Sequence, residues 1–286
     1  MNIKKLATTC LILCVAASAL AQDDRFASVT IETVPVTGNI SMLIGSGGNI
    51  GVSTGSDGLL IIDDQYGPLA AKIRAALSQL RSDTPKFLLN THFHGDHTGG
   101  NADFGVASII IAHENVRGRL VAGDSPGSAL PVITFDEDVT VHFNGENITL
   151  IHMPRGHTDT DSVVMFEESN VIHMGDHFFN GGFPFVDLAS GGTVQGYISN
   201  LEKALSWIDD DTSVIPGHGP LGTKADLLAF YNVVKDTSTT IRVMKSQQMS
   251  AEEAVAEGLG DEYESWGQGF INEQRWIETV FASYPR

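Results

Sequence analysis

The sequence predicts an α/β chain whose two sheet-bearing halves pack face to face with helices outside. Three observations point there. Strand-like segments fill the first third and recur in the middle, amphipathic helical segments follow each group of strands, and no repeat, linker or low-complexity tract divides the 286 residues. Hydrophobic residues make up 42% and charged ones 18%, the composition of a globular domain rather than a disordered chain.

Residues 1–21 read as a secretion signal. Lys4 and Lys5 form a positive start, residues 6–20 an apolar run, and Ala19-Leu20-Ala21 the small-x-small pattern before cleavage at Gln22. The run is shorter than the roughly 20 apolar residues that span a bilayer. No stable membrane insertion is therefore expected after cleavage, and the expected location is periplasmic or secreted. Both cysteines, Cys10 and Cys14, leave with this segment. The remaining domain, 22–286, then has no disulfide and no thiolate, so any metal must be held by His and carboxylate.

Strands follow at residues 29–33, 40–44, 50–54 and 59–62, separated by glycine-rich turns such as Gly45-Ser46-Gly47-Gly48. Pro68 opens a helix to residue 80, with Leu69, Ile73, Ala76, Leu77 and Leu80 on one face. Phe87-Leu88-Leu89 is a short buried strand, 108–112 another, and 114–121 a helix. Strands return at 139–143, 148–153, 162–166 and 171–174. A helix over 194–207, a strand at 213–215 and helices over 224–245, 251–257 and 270–282 complete the chain.

The chain carries 35 Asp and Glu against 17 Lys and Arg, a net charge of −18. Such a surface repels phosphate backbones and no run of three basic residues occurs, which counts against nucleic acid and leaves a small-molecule substrate.

The candidate chemistry lies just after strands. His92-Phe93-His94-Gly95-Asp96-His97 follows the strand at 87–89. Side chains at i and i+2 of an extended segment point the same way, so His92 and His94 can converge on one ion. Gly95 permits a sharp turn, which re-aims Asp96 and His97 at a second point. His157 in Arg155-Gly156-His157-Thr158, Asp176 in Met174-Gly175-Asp176, and His218 in Pro216-Gly217-His218-Gly219 each end another strand in a glycine-flanked loop. Singly each reads as a loop residue; together they supply what the first motif lacks.

This set, in this order and spacing, resembles the metallo-β-lactamase superfamily over nearly the whole domain. The resemblance implies a four-layer αβ/βα sandwich with the site at one sheet edge. It implies a first metal on His92, His94 and His157, a second on Asp96, His97 and His218, and Asp176 bridging both, with Asp96 also catalytic by orienting a water. Nitrogen and oxygen ligands of this kind suit two Zn²⁺ per chain, with Fe or Mn as alternatives. The implied activity is metal-dependent hydrolysis of an ester, lactone or amide carbonyl. Dedicated β-lactamases carry cysteine or a small residue where this chain has Asp176, so only weak β-lactamase activity is expected. Alternatives are a glutathione thioesterase, an iron sulfur dioxygenase using His92, His157 and Asp176, and a non-catalytic metal-binding protein.

Other residues stay open. Asp63-Asp64 ends a strand and either supports a ligand histidine or simply terminates the strand; Thr158 and Asp161 are similar candidates. His113 is a helix start or stands behind a ligand, His142, His152 and His173 lie in strands, and His177 follows Asp176. The loop Asn180–Phe185 is a substrate cover or packs its Phe183 and Phe185 into the core. Residues 46–49 could flank the entrance, and Trp207, Trp266 and Trp276 read as helix packing.

Overall fold

The structure, a computed structural model, describes residues 25–284 apart from Asp83; the expected signal at 1–21 lies outside the described residues. The first sheet has seven strands in chain order: β1 (Glu32–Thr37), β2 (Ile40–Ile44), β3 (Ile50–Gly55), β4 (Gly58–Ile62), β5 (Pro85–Leu89), β6 (Ile109–His113) and β7 (Ile133–Phe135). Neighbours are antiparallel from β1 to β4 and parallel from β4 to β7. The second sheet holds β8 (Asp138–Phe143), β9 (Glu146–His152), β10 (Ser162–Phe166), β11 (Val171–His173), β12 (Ser213–Ile215) and β13 (Gly222–Thr223), again in sequence order. Only β11 and β12 run parallel there.

Alternation along the strands builds the layers, because successive side chains point to opposite faces. In β2 and β4, Ile40, Met42, Leu60 and Ile62 face the second sheet, where Leu150, Val164, Phe166 and Val171 meet them. Their neighbours Leu43, Leu59 and Ile61 face outward and pack on Ile73 and Leu77 of α1 (Ala70–Leu80). On the other side, Val163 and Ile172 pack against α5 (Val194–Trp207), α6 (Lys224–Ser246) and α8 (Glu273–Ser283) through Leu201, Phe230 and Ile277. The order is helix, sheet, sheet, helix, the expected four-layer sandwich. The remaining helices are two single turns, α2 (Gly95–Thr98) and α3 (Asn101–Phe104), then α4 (Glu114–Ala122) and α7 (Ala251–Glu257). No described helix is long and apolar enough to cross a membrane.

Two differences from the sequence reading have physical causes. The first strand begins at Glu32 rather than residue 29, since residues 26–29 form a turn closed by Val29 N–H on the Phe26 carbonyl. The last helix begins at Glu273 rather than residue 270, because Asn272 caps it by accepting from Arg275 N at 2.9 Å. The segment before it, Asp261–Gln268, winds as a 3₁₀ helix with no buried residue, which no apolar periodicity announces.

Candidate metal centre

All the candidate ligands sit beyond the carboxyl ends of strands. His92 and His94 follow β5, His157 lies between β9 and β10, Asp176 follows β11, and His218 follows β12. The chain is extended through His94 (φ −62°, ψ 148°) and turns helical at once in α2, which carries Asp96 and His97. Thr98 Oγ1 donates to the carbonyls of Phe93 and His94 and fixes that corner. The corner does not need its glycine. Gly95 keeps a negative φ, and a Cβ there would meet nothing. A required glycine is Gly48, in the turn between β2 and β3, where any Cβ would strike the His97 ring. Residues 47–49 thus pack behind Asp96, His97 and the segment carrying His218.

The structure gathers the seven residues into two groups: His92, His94, His157 and Asp176 in one, Asp96, His97 and His218 in the other. Asp176 faces both. Its Oδ2 lies 3.4 Å from His157 Nε2 and 3.8 Å from His92 Nε2, while Oδ1 lies 3.0 Å from His97 Nε2 and 3.3 Å from His218 Nε2. Asp96 Oδ2 is 3.4 Å from His218 Nε2. His92 Nε2, His97 Nε2 and Asp176 Oδ1 are buried without a hydrogen-bond partner. Orphaned polar atoms of this kind are costly unless something charged completes them.

The outer nitrogens explain why the inner ones converge. His97 Nδ1 donates to Asp63 Oδ2 at 2.7 Å. Thr91 Oγ1 donates to the same oxygen at 2.7 Å and so can only accept from His92 Nδ1, 3.0 Å away. His157 Nδ1 donates to the Phe185 carbonyl at 2.7 Å, and His94 Nε2 donates to Asp187 Oδ2 at 3.1 Å. Each of these four tautomers is therefore set with its lone pair toward the centre. Asp63 is fully buried with φ +62°, a left-handed conformation more open to aspartate than to most side chains. Asp64 instead accepts from Gly100 N at 2.8 Å and secures the turn between α2 and α3. Asp161 accepts from Thr158 N and Oγ1, closing the loop that carries His157.

Charges in the cluster balance one another. Burial pushes the Asp176 carboxyl up, but His97, His218, His157 and His92 together hold it well below the usual carboxylate range. Burial pushes His97 down, and Asp176, Asp96 and Asp63 more than reverse this. Burial drives His157 down to about 4.

The other histidines fall outside this centre. His113 caps α4, its Nδ1 accepting from Asn115 N, and stacks on His152 at 3.7 Å and 11°. His142 is exposed and pairs with Asn147. His173 is buried against the Asn49 carbonyl, and His177 packs behind Asp176 on Tyr197 and Asn200. Gly51-Val52-Ser53-Thr54-Gly55 has the G-x-S-x-G spacing, but Ser53 lies within β3 rather than on a strand-to-helix turn, so it offers no exposed nucleophile.

These outer imidazoles make stability depend on pH. Burial lowers His113, His152 and His173, and takes His177 down to about 3. The unfolded chain, with values near 6.5, therefore takes up protons first as the pH falls. The stability these four imidazoles contribute is complete above about pH 6.5 and is lost progressively below it. The metal-free protein is expected to melt several degrees lower at pH 5 than at pH 7.5, followed by circular dichroism, and His152→Gln should narrow the gap. An unchanged gap would remove the His113–His152 stack as a source.

Sequence reasoning missed Asp187, Thr91 and Tyr197, whose hydroxyl donates to the Asp176 carbonyl at 2.8 Å. The expected cover loop divides: Phe183 is buried on Trp276, whereas Phe185 is half-buried against His94 and His157.

The family model of the metallo-beta-lactamase superfamily matches residues 38–218, from the turn before β2 through the last candidate histidine, His218. The chain belongs to the metallo-beta-lactamase superfamily. Among curated superfamily relatives, a hydroxyacylglutathione hydrolase of Polaromonas sp. is 34% identical over 46% of this chain and 47% of its own length. An atrochrysone carboxyl ACP thioesterase of Emericella nidulans is 31% identical over 48% of this chain and 41% of its own. The chain spans about half the length of such relatives. A metallo-beta-lactamase from Pontibacter korlensis has the same fold, with a TM-score of 0.63 at 16% identity over 72% of this chain and 99% of that one.

Proposed function

We propose that the chain is a secreted hydrolase that uses two zinc ions to cleave an ester or lactone. Asp176 carries this reading, with one carboxylate oxygen turned toward each imidazole set. The buried orphan atoms at the centre, His92 Nε2, His97 Nε2 and Asp176 Oδ1, fit a pair of cations. His92, His94 and His157 would hold one ion, Asp96, His97 and His218 the other, and Asp176 both. Bound zinc brings the pKa of a water to about 7 and polarises a carbonyl.

The protein's own residues do the rest. Asp96, part-exposed at the rim, accepts a hydrogen bond from the attacking water and aims its lone pair. Asp63, Thr91, Asp187 and the Phe185 carbonyl hold the imidazoles in place. Phe179, stacked on His218 at 5.0 Å, and Phe93 and Phe185, beside His94, wall the centre with apolar surface that excludes competing water. A bridging carboxylate lowers the net charge of the ion pair. That favours esters and lactones, whose leaving groups need less electrophilic help than a β-lactam nitrogen. The relatives named hydroxyacylglutathione hydrolase and thioesterase favour a second reading, thioester hydrolysis at the same centre. The composition of residues 1–21 supports secretion, and a mature amino terminus at Gln22 would verify it.

The test is the zinc-loaded protein assayed on a cephalosporin, a penicillin, acyl lactones, aryl esters, a phosphodiester and a glutathione thioester. Ester or lactone turnover is expected to exceed β-lactam turnover, with two zinc ions per chain by elemental analysis. A β-lactam kcat/KM above about 10⁶ M⁻¹s⁻¹, well within the enzymatic range, with negligible esterase activity would overturn the ranking. Iron as the sole tightly held metal, with oxygen uptake on a persulfide, would overturn hydrolysis itself.

A further inference from the structure

The loop after β11, the segment leading into α8 and the first turn of α8 bring three side chains together beside the metal centre. The Phe185 ring lies 5.6 Å from His157 and 5.9 Å from His94, centroid to centroid. Beyond it Phe270, 74% exposed, meets Phe185 edge-on at 6.0 Å and 86°. The Arg275 guanidinium occupies the angle between the two rings, its Cζ 5.4 Å from the centre of Phe185 and 5.1 Å from that of Phe270. On the other flank of His94, Arg119 lies over Phe93 in the same manner, but its fork is spent bidentately on Asp159 at 2.7 and 2.8 Å. Arg275 has no carboxylate within reach among the described residues.

We infer that Arg275 is a specificity-determining residue that receives the distal carboxylate of a substrate whose flat apolar portion lies along Phe185. This rests on the hydrolase reading above. A guanidinium presents a planar fork of donors that matches a carboxylate, and stacking on two rings limits its rotation without using those donors. The frame is rigid. Phe183 stacks on Trp276 at 5.8 Å and its N–H donates to the Trp266 carbonyl at 2.9 Å, so the loop carrying Phe185 and the helix turn carrying Arg275 move as one. Preorganisation of this kind spares the ordering cost of binding. Charge adds selectivity: a chain of net charge −18 repels small anions over most of its surface, and an unspent cation beside the centre marks where one is accepted. The spacer between the scissile carbonyl and the carboxylate is about one ring wide, because Phe185 stands between Arg275 and the candidate ligands His94 and His157.

Terephthalate and benzoate, titrated calorimetrically into the zinc-loaded protein, test this. Benzoate has one carboxylate and can engage the metal centre or Arg275 but not both, whereas terephthalate can span them. The wild-type protein is expected to bind terephthalate at least about tenfold more tightly, the worth of one charge-assisted bidentate contact. Arg275→Gln should erase that preference while leaving benzoate affinity, zinc content and melting temperature unchanged, and Arg275→Lys should restore part of it. Equal affinities in the wild-type protein, or a preference that survives Arg275→Gln, would overturn the inference. So would an equal loss of benzoate affinity, which would make Arg275 a structural residue. A preference that depends on Arg275 in a protein that cleaves no member of the ester and lactone panel would uphold the carboxylate site and remove the hydrolase reading.

Discussion

Asp176→Ala is expected to cut bound zinc from two ions per chain to one or none and to lower ester turnover by at least about three orders of magnitude. The size of the effect follows from position. The carboxylate is buried, it faces imidazoles of both sets, and His97, His218, His157 and His92 hold it ionised against the cost of burial. Removing it leaves five imidazoles converging on the site with Asp96 as the one carboxylate of the two groups. Asp176→Asn keeps the shape and loses the charge, so it separates packing from electrostatics. Elemental analysis and aryl ester kinetics are the measurements, with circular dichroism to verify the fold. Two retained zinc ions with turnover near normal would show that the two sets do not share Asp176.

Asp96→Asn should behave differently. The fold and the ion held by His92, His94 and His157 should survive, while turnover falls by about two orders of magnitude. Asp96 is part-exposed, as is His218 of the same group, and it sits on a single helical turn at the rim, where its carboxylate would be placed to aim a water. His142→Ala is the matched control, since that imidazole is exposed and paired with Asn147 far from the centre. A kcat within a few-fold of wild type for Asp96→Asn would remove Asp96 from the second set.

The seven residues of the centre were legible because each is a His or Asp that follows an apolar run and, in most cases, borders a glycine. The four-layer order was legible from strand alternation and helix faces. What escaped the sequence depends on long-range placement. His94 and Asp187 are 93 residues apart and nothing local announces their hydrogen bond. Phe185, Phe270 and Arg275 become neighbours only when the loop after β11 packs on α8. The two- and three-residue strands β13 and β7 are too short for any periodicity to show. Gly95 illustrates the opposite error: a glycine beside a turn invites a conformational explanation, yet the turn is ordinary helix and an indispensable glycine is Gly48, whose partner His97 lies 49 positions along the sequence.

Asp63 has a consequence for metal supply. One carboxylate oxygen holds His97 directly and His92 through Thr91, so the two ligand sets hang from a single pivot. On the two-zinc reading, an ion that drew His97 into place would steady the pivot, and the pivot would in turn present His92 to the second ion. Loading is therefore expected to be cooperative, with the first ion raising affinity for the second and, by reciprocity, the second retaining the first. On that reading, when zinc is scarce a population of such molecules would divide into bare and fully armed members with few half-filled ones. A gradual decline in free metal then becomes a threshold in the number of competent molecules rather than a uniform dimming of each.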